Sequence, residues 1–206
     1  FTHVLDRYVK HEADPREIFA CIVAMGTNMG LAKMAEVSGL SSASMAGTSR
    51  NYLRLETLRA VNDAISNATS QLPAFHLYDI QDSLHSSSDG QRMETQINTL
   101  NARYSPKYFG LQKGVSAYTL VANHVPINAK IIGTHEHESH YVFDLLHNNT
   151  SDIKPERHST DTHGTNQVNF WILHAFGYHF APRYRDLHKK MDTLVGSQHP
   201  NECGDW

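Results

Sequence analysis

The sequence predicts an α/β protein in which a mixed sheet flanked by helices follows an all-helical segment. In the first third, apolar residues recur at helical spacing and no strand pattern is present. After Pro73, short segments that alternate apolar and polar residues are interspersed with segments of helical spacing. We therefore expect a helical segment over residues 1–72 and an α/β domain over residues 73–206.

In the helical segment, helix start and stop signals define the elements. Asp14 followed by Pro15 is an N-cap with proline at the first helical position, and that helix runs to Gly26. A second helix is expected over residues 30–38, and Gly39 ends it. A long helix with one apolar side is expected over residues 48–68.

In the α/β domain, alternation and turn residues predict the order of the elements. We expect strands over residues 75–80, 85–93, 115–122, 127–134, 157–162 and 178–182, helices over 138–147 and 165–176, and a loop over 94–113. The strands at 115–122 and 127–134 should form a hairpin.

Composition limits the classes of protein to which the chain can belong. Apolar residues make up 40% and charged residues 19%, which is ordinary for a globular protein, and no apolar run is long enough to span a membrane. Two cysteines do not make a disulfide framework, so we expect a reducing cytoplasm. The net charge of -3 means that any DNA contact must come from local basic patches. The chain starts at Phe1 without a signal peptide and is expected to be an excerpt from a longer protein.

Two aspartates are the strongest candidates for catalysis. Asp89 lies in the predicted strand at 85–93 and Asp161 in the strand at 157–162, and each is flanked by serine, threonine or glycine. If the two strands are neighbours, both carboxylates can bind a divalent cation of the kind that phosphoryl transfer requires. The alternative is that Asp161 only caps the following helix and that Asp89 lies in a turn before Gly90.

Several motifs around these aspartates, in the same order, resemble the signatures of the Tn3 family of replicative transposases. They are SSDGQR at 87–92, NARY at 101–104, TDTHG at 160–164 and FAPRYRDL at 180–187, preceded by GTNMGL at 26–31 and MAE at 34–36. The resemblance extends from about residue 15 to about residue 190 and implies a DDE catalytic core of RNase H-like fold.

The resemblance further implies roles for residues, a cofactor and partners. Asp89 and Asp161 would be the first two acids of the triad and would bind Mg²⁺ or Mn²⁺, which activates water and later the freed 3′-hydroxyl. The family's third acid is a glutamate on a downstream helix. Because Glu202 lies in a non-helical context, we expect the core to be truncated before that acid and to be inactive alone. Its partners would be transposon terminal inverted repeats and target DNA, and the full-length protein would be a homodimer in the bacterial cytoplasm, associated with the nucleoid.

Basic residues near these motifs are candidates for contacts with DNA phosphates. We predict such contacts for Arg92, Arg103, Arg183, Arg185, Lys189 and Lys190. The last four form a local basic cluster after the final predicted strand, at the expected edge of the active site.

Two other functions stay open. The spacing of Ala35, Gly39 and Met45 fits a helix-turn-helix, so the chain could be a non-catalytic DNA-binding or assembly module. The segment 135–140 contains His135, His137 and His140 together with Glu136 and Glu138, and such a set could bind zinc in a hydrolase. Otherwise the two glutamates would stabilise the start of the helix at 138–147 through its dipole.

Overall fold

The structure is a computed structural model that describes residues 1–5, 9, 12–80 and 82–188. The chain divides into two compact units, one from Phe1 to Ile65 and the other from Ser66 onward. The division falls inside a helix, Leu55–Ser70, whereas the sequence placed the domain boundary between residues 72 and 73.

The first unit is helical. It contains α1 (Pro15–Gly26), α2 (Leu31–Ser38), α3 (Ser42–Tyr52) and the first part of α4 (Leu55–Ser70). Its core consists of buried side chains from α1, α2 and α3: Ala20, Cys21, Ala24, Met34, Ala35 and Met45.

The expected single helix over 48–68 is wrong, because the chain leaves helical geometry between α3 and α4. The hydroxyl of Thr57 accepts the backbone N–H of Arg54 at 3.0 Å and can donate to the carbonyl of Tyr52 at 2.6 Å. A threonine side chain can bind backbone groups in this way in place of helical hydrogen bonds, so the break is locally encoded.

The second unit is α/β. After α4 come α5 (Pro73–His76), β1 (His85–Glu94), β2 (Arg103–Tyr104), α6 (Pro106–Phe109), β3 (Lys113–Ala122), β4 (Val125–Gly133), a 3₁₀ turn (Glu138–Tyr141), α7 (Val142–His147), β5 (Arg157–Thr160), a second 3₁₀ turn (Thr162–Gly164), α8 (Gln167–Ala175) and β6 (His179–Phe180). The strand expected at 75–80 is wrong: Pro73 starts α5, and the backbone N–H of Phe75 donates to the carbonyl of Leu72.

The strands form one mixed six-stranded sheet. Its order is β2-β3-β1-β5-β6, and β4 also pairs with β3. The β3 strand runs antiparallel to β1 and to β4, whereas β5 runs parallel to β1 and β6 runs parallel to β5. The β3–β4 hairpin is confirmed, and its turn residues Asn123 and His124 both have positive φ, as tight hairpin turns require. Three antiparallel strands followed by two parallel ones give the expected RNase H-like topology.

Along β1 the two faces of the sheet differ. Ser86 and Ser88 are buried, whereas Ser87 and Asp89 are exposed. The core is built from side chains of α5, β3, β4, α7 and α8, with Phe75, Tyr118, Leu120, Ile127, Val142, Leu145 and Leu173 among its members. Among the described residues no helix is both long and apolar enough to cross a bilayer.

Candidate active site

The two predicted acids lie at the junction of β1 and β5. These parallel strands pair Ser87 with Ser159 and Ser88 with Thr160, so that Asp161, which follows β5, continues the register beside Asp89. Asp89 lies within β1 and not in a turn, and its Oδ1 accepts the N–H of Gly90 at 2.8 Å. Adjacent parallel strands therefore bring together two carboxylates that are distant in sequence.

A short turn fixes the carboxylate of Asp161. Its Oδ1 accepts the backbone N–H groups of His163 and Gly164 at 2.9 and 3.1 Å, and its Oδ2 lies 2.9 Å from Nδ1 of His163. The backbone of Gly164 approaches Thr160 so closely that a Cβ on the glycine would lie 2.5 Å from the Cβ of Thr160. The sequence Asp-Thr-His-Gly thus encodes a turn that Asp161 caps, and this capping coexists with its position beside Asp89.

The two carboxylates are a suitable donor set for a hard divalent cation. Burial acts to raise the pKa of Asp161, but the hydrogen bonds from His163 and Gly164 outweigh it and lower the pKa below its ordinary value. Asp161 is therefore ionised at neutral pH and ready to bind a cation. No group of three or more His, Cys, Asp or Glu side chains with metal-binding geometry exists among the described residues.

A buried histidine joins the strands that hold the two acids. His158 on β5 is fully buried, with Nδ1 2.9 Å from Oγ of Ser86 and Nε2 3.0 Å from Oγ of Ser88. Ser88 in turn contacts the hydroxyl of Tyr118 on β3 at 2.7 Å. Burial lowers the pKa of His158 to about 3, so the ring is neutral. We call this set of hydrogen bonds the His158 network. It connects β5, β1 and β3 next to the residues that carry the two acids. It was not predicted from the sequence.

A third carboxylate, that of Glu138, lies close to the pair. Glu138 starts the 3₁₀ turn before α7, is 7% exposed, and its Oε1 packs against Gly90, the residue after Asp89. Burial raises the pKa of Glu138; Arg92 opposes that rise, and both aspartates add to it. From the sequence, this glutamate was a member of a possible zinc site or a stabilising residue at a helix start. The only sequence feature that relates to its contact with β1 is the glycine at position 90.

Arg92 and Arg103 occupy different environments. The guanidinium of Arg92 lies 4.1 Å from the centre of the Tyr108 ring, and its Nη2 is 3.5 Å from Oε1 of Glu138. It is therefore held beside Glu138 and Tyr108. Arg103 is exposed on β2 and donates to the carbonyls of Leu100 and Ala102.

The segment after β6 lies beside Asp161. The N–H of Arg183 donates to the carbonyl of Thr160 at 2.8 Å, and the N–H of Arg185 donates to Oγ1 of Thr162 at 3.0 Å. A cleft of about 300 Å³ lies on the Asp89 side of the sheet, and Arg183, His85, Ser87 and Ser159 contribute to its lining. Lys189 and Lys190 lie outside the described residues.

The histidine-rich segment does not form a compact metal centre in the part of the chain that the structure describes. Nδ1 of His137 lies 2.8 Å from Oγ of Ser139, and the rings of His137 and His140 are 5.9 Å apart. The ring of His135 lies against Gly133. These contacts indicate a polar connection between β4 and α7.

Comparison with known proteins agrees with the geometry. The family model described as the Tn3 transposase DDE domain matches residues 1–205. The transposase for transposon Tn1546 of Enterococcus faecium is 34% identical over 210 residues, and the match covers 97% of this chain and 20% of that protein. The transposase for transposon Tn2501 of Escherichia coli is also 34% identical, with 95% and 20% covered. The chain thus spans about a fifth of the length of these relatives. A piggyBac transposase synaptic complex with hairpin DNA matches 93% of this chain and 46% of its own, at 14% identity and a TM-score of 0.46.

Proposed function

Because this chain belongs to the family of Tn3 transposase DDE domains, we propose that it supplies two acids of a DNA transposase that nicks transposon ends and joins them to target DNA. The observation that supports the proposal is the register of β1 and β5, which pairs Ser88 with Thr160, the residues that directly precede Asp89 and Asp161. The family match over residues 1–205 supports a catalytic role for that pair.

In this proposal Asp89 and Asp161 would hold divalent cations, Mg²⁺ or Mn²⁺, which would supply positive charge to the attacking and leaving oxygens of phosphoryl transfer. In nicking, a water oxygen bonds to phosphorus, the bond from phosphorus to the 3′-oxygen breaks, and a 3′-hydroxyl is released. In strand transfer that hydroxyl bonds to a target phosphorus and displaces a target 3′-oxygen. The turn around Asp161 keeps its carboxylate fixed throughout, through the N–H groups of His163 and Gly164.

The basic residues around the pair would hold the DNA backbone. The N–H groups of Arg183 and Arg185 donate to the carbonyl of Thr160 and the hydroxyl of Thr162, the two neighbours of Asp161 in the chain. Arg92 lies next to Glu138. We therefore assign phosphate contacts near the scissile bond to these three arginines. Arg103, Lys189 and Lys190 are proposed to contact DNA farther along. The full-length partners would be terminal inverted repeats and target DNA bound by a homodimer in the bacterial cytoplasm, at the nucleoid.

The test is strand nicking of transposon-end DNA by the full-length transposase that carries this domain. Asp89→Asn and Asp161→Asn should each lower nicking in Mg²⁺ by more than about 100-fold, while binding of the ends in a gel-shift assay persists. Glu94→Gln is the matched control, because Glu94 is an exposed acid on the same strand, and it should nick normally. Nicking that survives either aspartate substitution would refute the assignment and favour a non-catalytic DNA-binding module.

The phosphate contacts have a separate test. Arg183→Gln and Arg185→Gln should each weaken DNA binding for all sequences alike and reduce the salt dependence of log Kd by about one unit. A change confined to one DNA sequence, or none at any salt concentration, would contradict the assignment of these two residues to the backbone.

A further inference from the structure

Glu138 is a buried acid whose hydrogen bonding is incomplete. It is 7% exposed, and its Oε1 accepts no hydrogen bond from any residue that the structure describes. The nearest cationic atom is Nη2 of Arg92 at 3.5 Å, which is long for a charge-assisted hydrogen bond. A buried carboxylate oxygen without a donor is costly, so its presence requires an explanation.

The unsatisfied atoms cluster at this place. Among the described residues, five side-chain nitrogen or oxygen atoms are buried without a hydrogen-bond partner, and three of them are Nε of Arg92, Oγ of Ser116 and Oε1 of Glu138. Arg92 and Ser116 are register partners on β1 and β3, so their side chains share one face of the sheet. A group of neighbouring unmet donors and acceptors indicates a place where water bound to a ligand completes the hydrogen bonds.

The chain keeps room for this carboxylate next to Asp89. A Cβ on Gly90 would overlap Oε1 of Glu138, so only glycine allows the acid to rest against the backbone that carries Asp89. Glu138 thus lies against the residue that follows Asp89 in β1; both aspartates add to the raised pKa of Glu138, and Arg92 opposes it.

We propose that Glu138 is a further carboxylate of this metal site and acts on a divalent cation held by Asp89 and Asp161 through the water molecules that the cation retains. Mg²⁺ keeps several of its waters when proteins bind it, and those waters are donors for an acceptor such as Oε1. Glu138 is thus a positioning residue, additional to any third acid that the family supplies elsewhere. The inference rests on the proposed function, because it needs the aspartate pair to bind the cation.

Binding of Mn²⁺ to the chain, measured by electron paramagnetic resonance of the free ion, tests the inference without any activity assay. Glu138→Gln keeps the shape of the side chain and removes its charge, and it should weaken Mn²⁺ binding by about tenfold. Gly90→Ala changes no charge but displaces Glu138, so it should weaken binding similarly.

Two variants serve as controls. Glu94→Gln controls for the loss of any nearby negative charge, and Gly47→Ala, at a glycine with open space around it, controls for the added methyl group. Both controls should bind Mn²⁺ as the wild type does.

Arg92→Gln separates an electrostatic role of Glu138 from a merely structural one. If Glu138 acts on the cation, then removing the neighbouring positive charge should leave Mn²⁺ binding unchanged or strengthen it. If the Arg92–Glu138 pair only supports the fold, then Arg92→Gln and Glu138→Gln should weaken binding together, and the inference is overturned.

Unchanged binding in Glu138→Gln, combined with loss in Asp89→Asn, would overturn the inference and leave the proposed function intact. Equal binding in Asp89→Asn and the wild type, or no binding at all, would overturn both.

Discussion

Two buried polar clusters lie on the same face of β1, one below Asp89 and one beyond it toward the end of the strand. In the first, both ring nitrogens of His158 contact serine hydroxyls and Ser88 also contacts Tyr118. In the second, Arg92 and Glu138 form a long ion pair, and each keeps a buried atom without a hydrogen bond. Within the part of the chain that the structure describes, the first cluster is satisfied, whereas the second keeps unpaired atoms. The difference separates groups that build the site from groups that are available to a ligand.

Breaking the satisfied cluster should have the largest effect on stability. His158→Leu removes two hydrogen bonds from a fully buried position that joins β5 to β1, and we expect the free energy of unfolding to fall by about 2–4 kcal/mol. Urea unfolding followed by circular dichroism measures it. His174→Leu, at an exposed histidine on α8, should have little effect, and equal losses in the two variants would contradict the assignment.

The same cluster predicts a pH dependence. The pKa of His158 is about 3 in the folded chain because burial disfavours the charged ring, whereas the unfolded chain has the ordinary value of 6.5. The unfolded state therefore binds a proton that the folded state does not, and stability is lost as the pH falls from about 6.5 toward 3, by about 1.4 kcal/mol per pH unit. The stability difference between wild type and His158→Leu should shrink over this range. A difference that stays constant with pH would show that His158 is not held neutral.

The turn around Asp161 should be the next most sensitive. Gly164→Ala adds a Cβ 2.5 Å from the Cβ of Thr160, so the turn must shift, and we expect a loss of about 1–3 kcal/mol in the free energy of unfolding. Gly47→Ala, within α3 and with open space around it, should be neutral or stabilising. Thermal melting of the two variants gives the comparison; similar melting temperatures would show that Thr160 does not constrain the turn.

Tyr118→Phe tests the edge of the satisfied cluster. It removes one hydroxyl contact, while Ser88 keeps its contact with His158, so the expected loss is about 1 kcal/mol. Measured in the His158→Leu background, the same substitution should cost a different amount, because the two side chains share Ser88. Strict additivity in this double-mutant cycle would argue against a connected network.

The unsatisfied cluster should respond least. Glu138→Gln removes a buried charge whose desolvation is barely compensated, so we expect the free energy of unfolding to change by less than about 1 kcal/mol, in either direction. A loss as large as that of His158→Leu would remove the contrast between the clusters and make Glu138 a structural residue.

Local sequence signals predicted much of the framework. The strand that carries Asp89, the β3–β4 hairpin and the order of the later elements follow from alternation and turn residues, all of which act over a few positions. The strand expected at 75–80 was wrong because Pro73 starts a helix there, and the helix expected over 48–68 was wrong because Thr57 binds the backbone at the break. In both places a single side chain outweighed the apolar pattern.

The site was predictable only in part. Asp89 and Asp161 were predicted from strand order and family motifs, and the structure puts them on or next to neighbouring strands. The contacts of His158 and Glu138 depend on how β5 and the 3₁₀ turn before α7 pack against β1, which sequence spacing does not specify. The glycine after Asp89 was visible in the sequence, but only the position of Glu138 explains why a side chain is excluded there.

The most direct test of the account is a crystal structure of the chain soaked in Mn²⁺, with the ion located by its anomalous signal. The account predicts Mn²⁺ between the carboxylates of Asp89 and Asp161 on the neighbouring strands β1 and β5. It would be contradicted by aspartates too far apart to share an ion, or by Mn²⁺ bound instead at His135, His137 or His140.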